Sequence, residues 1–238
     1  MKTLKQVIMA VAFVFLAHFS GKSDGCVPLP AGVVAWWEAN GNSSDTVQNV
    51  PGDLAANATY GPGKIGQAFY FDGNGDAVTL DQPDPLELNV LTIEGWICRN
   101  NTNQVSLSDT SGAILAGEVG SYDFGLTDSG QLYFARVGNA LVSSTSVISD
   151  TNFHHVAVTF DEAEVILYID GTPDIPLSYP ITFGPSPLMT IGSRADGSGS
   201  FWGAIDELSV YSRPLSRTEI RAIASAGSMG KCRIPGIE

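Results

Sequence analysis

The chain has 238 residues, with 12 Lys and Arg against 25 Asp and Glu and a formal charge of −13. That balance argues against nucleic-acid and anionic-membrane partners, because both are held by lysine and arginine neutralising phosphates. Metal cations and neutral ligands stay open, and the length suits one large domain or two small ones.

In chain order, MKTLKQVIMAVAFVFLAHFS places Lys2 and Lys5 ahead of a short apolar run from Val7 to Ala17. This reads as a secretory signal peptide over residues 1–25, with cleavage near Cys26, and predicts a secreted or extracytoplasmic protein. The run is shorter than the roughly 20 residues of a membrane span, and no longer apolar run follows. A mature chain of residues 26–238 without membrane insertion is therefore expected. Short β-rich runs then recur between turn signals: Val33–Trp37, Ala68–Phe71, Ala77–Leu80, Leu91–Cys98, Ala113–Gly117, Tyr122–Leu126, Gln131–Ala135, His154–Phe160, Val165–Ile169, Leu188–Ile191 and Ala204–Tyr211. TDSG at 127–130 and the Asp161–Ala163 turn join alternating arms as hairpins. In the arm that follows, Val165, Leu167 and Ile169 share one face while Ile166 and Tyr168 take the other. A strand apolar on both faces needs a cover, a loop or a ligand, on the side away from the core. Trp36 and Trp37 are adjacent, so one faces the core and the other outward.

The helical pattern comes late. Ser216, Arg217, Thr218 and Glu219 form a capping box, Leu215 is placed to staple to Ile220, and Gly227 marks the stop. The elements sum to an all-β, two-sheet antiparallel jelly-roll sandwich with one short C-terminal helix. Cys26 opens the mature region, Cys232 nearly ends it, and Cys98 ends a strand run. In a sheet fold whose termini meet, Cys26–Cys232 is the expected disulfide, worth about 4–5 kcal/mol in the chain-entropy model.

Five blocks now stand in one order: PAGVVAWWEANGNSSD at 30–45, PGKIGQAFYFDGNGDAVTL at 62–80, LTIEGWI at 91–97, FHHVAVTFD with VILYIDG at 153–171, and GAIDELSVYSRPLSRTEI at 203–220. Together they resemble the laminin-G-like, concanavalin A-like lectin/glucanase domains of secreted bacterial proteins. The resemblance implies a non-enzymatic binding module for a polysaccharide or glycan. An alternative is a structural or adhesive domain meeting a cell-surface protein. It also implies a structural calcium, for which Asp72, Asn74 and Asp76 of FDGNGD offer alternating oxygens. The family's loop placement nominates Asp206 beside them, with Asp45 as a further candidate. This is no EF-hand, since position twelve counted from Asp72 is Pro83 and not Glu. For sugar stacking and hydroxyl bonding the candidates are Tyr122, Tyr133, Arg136 and Trp202, three of them on or near the middle strands.

Catalytic signals are weak. Asp161, Glu162 and Glu164 sit in a turn with the wrong spacing for a glycosidase pair, and Asp206 and Glu207 alternate faces. His154 and His155 alternate likewise, and no G-x-S-x-G elbow occurs. No catalytic residue is assigned.

Overall fold

The computed structural model describes residues 25–81, 86, 88–109, 112–186 and 188–233. The signal-peptide reading therefore lies outside the described residues, apart from Gly25. Two antiparallel sheets face each other. One runs β13 (Thr172–Pro173), β12 (Glu164–Ile169), β11 (His154–Phe160), β6 (Leu91–Arg99), β16 (Trp202–Tyr211), β4 (Gln67–Asp72) and β3 (Thr59–Pro62), with β1 (Val33–Trp37) paired to β16 and β14 (Leu177–Ser178) to β12. The other runs β10 (Val142–Val147), β9 (Gln131–Arg136), β8 (Tyr122–Leu126), β7 (Ala113–Glu118), β15 (Leu188–Ile191), β5 (Ala77–Asp81) and β2 (Asp53–Ala55). Among the described residues no helix is long and apolar enough to cross a membrane.

Alternation places the core. Phe69, Ile93, Ile97, Val156, Val158 and Phe160 of the first sheet meet Val78, Leu80, Phe124, Phe134, Met189 and Ile191 of the second. Each such side chain contributes about 1.5–3 kcal/mol by leaving water. Between the sheets Phe134 and Phe160 lie 5.7 Å apart by ring centroid, and Phe160 and Phe183 5.2 Å.

The second apolar face of β12 has its cover. Helix α1 (Arg217–Ala226) starts at Ser216, whose hydroxyl accepts from the Glu219 amide while Glu219 accepts from the Ser216 amide. Ile220 and Ile223 then bury against Ala157, Tyr168, Tyr211 and Leu215, with Ile166 at the margin. The cover is thus the protein's own helix, neither a loop nor a ligand.

Beside the helix, the outer face of β6 and β16 carries charges that are nonetheless buried. Glu94, His155 and Ser209 have no exposure, Lys231 has 6% and Glu207 3%. The cover here is the chain after the helix, anchored by the disulfide between Cys26 and Cys232 and by a parallel bridge of Val27 to Lys231. Lys231 spends all three of its protons: on Glu94 Oε1 at 2.7 Å, Ser209 Oγ at 2.8 Å and the Glu207 carbonyl at 2.9 Å. Glu94 also accepts from the Tyr211 hydroxyl at 3.2 Å and bonds His155 Nε2 at 3.0 Å. Burial alone would push the Glu94 carboxyl up, but Lys231 and His155 outweigh it and hold it at about 2. Trp36, the outward member of its pair, is sealed under the same layer, its indole N–H donating to Glu207 Oε2 at 2.9 Å. Trp37 faces the core.

Replacing Lys231 by Met strands a buried carboxylate, so denaturant unfolding should show a loss of about 3–5 kcal/mol. The double variant Lys231→Met with Glu94→Gln should recover much of it. A second expectation concerns pH. Burial raises the Asp206 carboxyl to about 7 and that of Glu207 to about 8. The folded protein keeps both protons through a range where the unfolded chain has lost them, so stability falls as pH rises from about 4 to 8 and levels above. The melting temperature should be higher at pH 5 than at pH 8. Asp206→Asn, which can keep accepting from the backbone, should shrink that difference. An unchanged slope would remove Asp206 as its source.

Candidate functional site

The outer face of the seven-stranded sheet is built by the same alternation. In β8, Tyr122, Phe124 and Leu126 join the core, so Asp123 and Gly125 face away. In β9, Leu132 and Phe134 face inward, while Tyr133 and Ala135 form a separate outer cluster with Ile114. Gly125 pairs directly with Tyr133. A Cβ at that glycine would overlap the Tyr133 ring, so the missing side chain lets the ring lie across β8. Its hydroxyl donates to the Ala113 carbonyl at 3.3 Å.

The loop after β15 brings Arg194 over this face. Its Nε donates to Asp123 Oδ2 at 3.3 Å, and its Nη1 stands 3.7 Å from Asp109 Oδ2. The Arg194 side chain keeps 39% of its surface in solvent. Burial raises the Asp123 carboxyl, and Arg194 opposes that rise. A cavity of about 220 Å³ opens here, lined by Asp109, Asp123, Thr127, Tyr133, Arg136 and Arg194 among others. A second of about 220 Å³ shares Asp123, Val137 and Arg194 and adds Glu118, Val119 and Thr190. Val119, Val137 and Leu141 stand exposed around them. The site offers a carboxylate to accept, a guanidinium to donate and apolar edges beside both.

Of the four ligand candidates, Tyr133 and Arg136 come together at this cavity. Tyr122 lies on the core face, fully buried against Phe134 and Phe183 at 6.0 and 5.3 Å. Trp202 is half-buried at the start of β16, in the other sheet, where it pairs with Asp72. Asp123, Asp109 and Arg194 escaped sequence reasoning. The signal for Asp123 was the charge between two aromatic core positions in YDFGL; Arg194 had only its isolation among glycines and serines in IGSRADGSGS.

The five metal candidates divide into three places. In the turn after β4, Asp72 accepts from the Asn74 amide at 2.8 Å and the Asn57 side chain at 3.1 Å. Asp76 accepts from the backbone of Asn57 at 2.8 Å and of Asp72 at 2.6 Å. Asp206 lies four residues along β16 from the Trp202–Asp72 pair, about 13 Å at roughly 3.3 Å per residue. Its Oδ2 accepts from the Ile65 amide at 2.9 Å, and its Oδ1 is buried with no partner among the described residues. Asp45 ties the backbone of Trp36, Val47 and Gln48. The five do not form one coordination sphere, and among the described residues no group of three or more His, Cys, Asp and Glu is placed to hold a metal ion. The two strand histidines also part: His154 bonds Asp150 and Asp170 at the surface, while His155 bonds buried Glu94.

Comparison with known proteins agrees with this architecture. Domain 4 of AbnA, a GH43 extracellular arabinanase from Geobacillus stearothermophilus, in complex with arabinotriose, superposes with a TM-score of 0.65 at 20% identity, covering 81% of this chain and 98% of that domain. The binding domain of botulinum neurotoxin DC, in complex with rat synaptotagmin II, superposes with a TM-score of 0.64 at 15% identity, covering 82% of this chain and 51% of that one. Trypanosoma rangeli sialidase gives 0.62 at 17%, covering 82% of this chain and 33% of the enzyme. The chain thus spans about half of the toxin domain and a third of the sialidase. At such identities these likenesses establish the fold, which binding domains and enzymes share. No curated protein matches the sequence. The family model described as the concanavalin A-like lectin/glucanases superfamily, of laminin G type, matches residues 72–221, more than half of the 238. The chain belongs to the concanavalin A-like lectin/glucanase superfamily.

Proposed function

We propose that this protein is an extracytoplasmic, non-enzymatic binding module that takes a glycan at the Asp123–Arg194 cavity. The observation that carries the reading is Arg194, held between Asp109 and Asp123 beside the Tyr133 ring yet more than a third exposed. A fixed guanidinium and carboxylate recognise neighbouring hydroxyls, and the apolar edges of Tyr133 and Val137 suit the C–H faces of a sugar. The arabinotriose held by the arabinanase domain is the kind of ligand this reading draws on. Extracytoplasmic placement rests on the signal-like leader and on the Cys26–Cys232 disulfide, which persists in oxidising compartments. A second reading, adhesion to a protein surface, is favoured by exposed Val119, Val137 and Leu141 around the cavity.

A glycan array followed by titration calorimetry tests the choice. Arg194→Ala should weaken the best glycan by about 10- to 100-fold, the worth of a hydrogen bond to a charged group, with little change in melting temperature. Equal affinity in the variant would remove this cavity from the reading. Silence across the array, with capture of a purified surface protein lost on Val137→Glu, would shift it to adhesion.

Calcium enters this reading at the Asp72–Asn74–Asp76 turn alone, since Asp206 lies about 13 Å away along β16 and the Asp45 carboxylate is taken by the backbone amides of Trp36, Val47 and Gln48. A rise in melting temperature at about 1 mM calcium, in the range of extracellular calcium modules, that disappears with Asp72→Asn would support it. Identical melting in calcium and in chelator would remove the metal.

A further inference from the structure

An asparagine followed by glycine is prone to lose its side-chain amide, because no Cβ on the next residue keeps the backbone nitrogen from reaching the asparagine Cγ. The chain holds two such pairs, Asn40–Gly41 and Asn74–Gly75, and the fold treats them differently. At the first pair every group the reaction needs is engaged. Asn40 Oδ1 accepts from the Gln67 amide at 2.8 Å, its Nδ2 donates to Glu38 Oε2 at 3.3 Å, and the Gly41 N–H donates to the Ala39 carbonyl at 2.9 Å. The Asn40 side chain also packs on Gly66, where an added Cβ would overlap its Oδ1.

Asn74 stands exposed at the tip of the turn between β4 and β5. Its backbone N–H donates to Asp72 Oδ1 at 2.8 Å, and Asp76 ties the base by accepting from the amides of Asp72 and Asn57 at 2.6 and 2.8 Å. Beyond those ties, neither the Asn74 carboxamide nor the Gly75 N–H has a hydrogen-bond partner among the described residues. Gly75, at a φ of 86°, has no atom within 4 Å of the place a Cβ would take. The 74–75 peptide is therefore free to turn its nitrogen toward Cγ while Asp72 and Asp76 hold the base of the turn. We propose that Asn74 is a site of spontaneous deamidation in the folded protein, and that the fold protects Asn40 from the same reaction. The Gly75 nitrogen gives its proton to solvent and bonds to Asn74 Cγ, the Cγ–Nδ2 bond breaks, and that nitrogen leaves as ammonia. Water then opens the cyclic imide at either carbonyl, giving aspartate or isoaspartate with no net oxidation. The turn thereby gains a third acid between Asp72 and Asp76. The proposal stands apart from the glycan and calcium readings.

The test ages the purified protein in neutral buffer beside a sample unfolded in denaturant with its disulfide reduced. Both are digested with trypsin at mildly acidic pH, where further loss is slow, and mapped by mass spectrometry. Cleavage after Lys64 puts Asn40 and Asn74 on different peptides. In the folded sample the change from amide to acid should fall on residue 74, in two product peaks for aspartate and isoaspartate. Asn40 should convert about 10-fold more slowly or less, since each hydrogen bond it must release slows the reaction several-fold. In the unfolded sample the two should react at similar rates, which assigns the difference to the fold. Equal rates in the folded protein, faster loss at Asn40, an Asn74 that stays intact when folded, or the same disparity in the unfolded chain would each overturn the proposal.

Discussion

The fold depends on how β6 and β16 are buried on both faces. Toward the other sheet the solution is ordinary, with Ile93, Ile97, Ile205 and Val210 in the core. Away from it, the ten-residue helix covers β11, β12 and the end of β16 and leaves the rest to the short segment that follows. That segment brings one long side chain, Lys231, and the sheet answers with Glu94, Ser209 and the bulged Glu207, whose φ is 55°. A buried cation and carboxylate are costly to desolvate, and an apolar plug of the same shape could be as stable. What the charges add is register. Lys231 satisfies its three protons only when the segment is seated at one height, which also brings Cys232 to Cys26 and Arg233 to Glu38.

The same layer explains the unusual acids of β16. Glu207 stays near Lys231, at 3.9 Å, yet its carboxyl rises, because Glu94 has taken the better contact at 2.7 Å and burial dominates what remains. Asp206 is anchored on one oxygen by the loop before β4, and the other has no hydrogen-bond partner among the described residues. A proton on that oxygen resolves the conflict without a partner, and the electrostatics favour it up to about pH 7.

How far the sequence disclosed this varies with how local the cause is. Period-two runs such as VVAWW, YDFGL, HHVAVTF and LMTI became strands with the bounds read from them, and the capping box set the start of the helix. The runs that escaped are those whose pairing owes nothing to alternation. VSSTSV in β10 is polar because it is an edge strand, and the Asp174 carboxylate takes its free amides at Thr145 and Ser146. TYGP in β3 holds glycine and proline and survives only by pairing with β4. Tyr122 and Tyr133 looked equivalent because which face each takes depends on register across the TDSG turn. The Lys231–Glu94 contact, spanning 137 positions, had no local signature at all. FDGNGD was ambiguous for a different reason: the oxygens that suit calcium are also those that tie a tight turn, and here each carboxylate oxygen of Asp72 and Asp76 already accepts an N–H.

Closure of one sheet also decides where recognition has room. The outer face of the nine-stranded sheet between β16 and β12 is spent on the helix and on Lys231, so its aromatic and charged groups, Trp36 and His155 among them, serve burial and are withdrawn from solvent. Over the seven-stranded sheet the cover is a loop and no helix among the described residues: Gly199 of the Arg194 loop lies against Ile114, whose amide donates to the Gly199 carbonyl at 2.8 Å. The outward positions of that sheet are the ones that can afford a glycine under a tyrosine ring and an arginine bridging two aspartates in partial contact with water. A loop supplies that arginine, while the strands supply Asp123 and Tyr133, which divides the work in the usual way between a stiff platform and a variable arm.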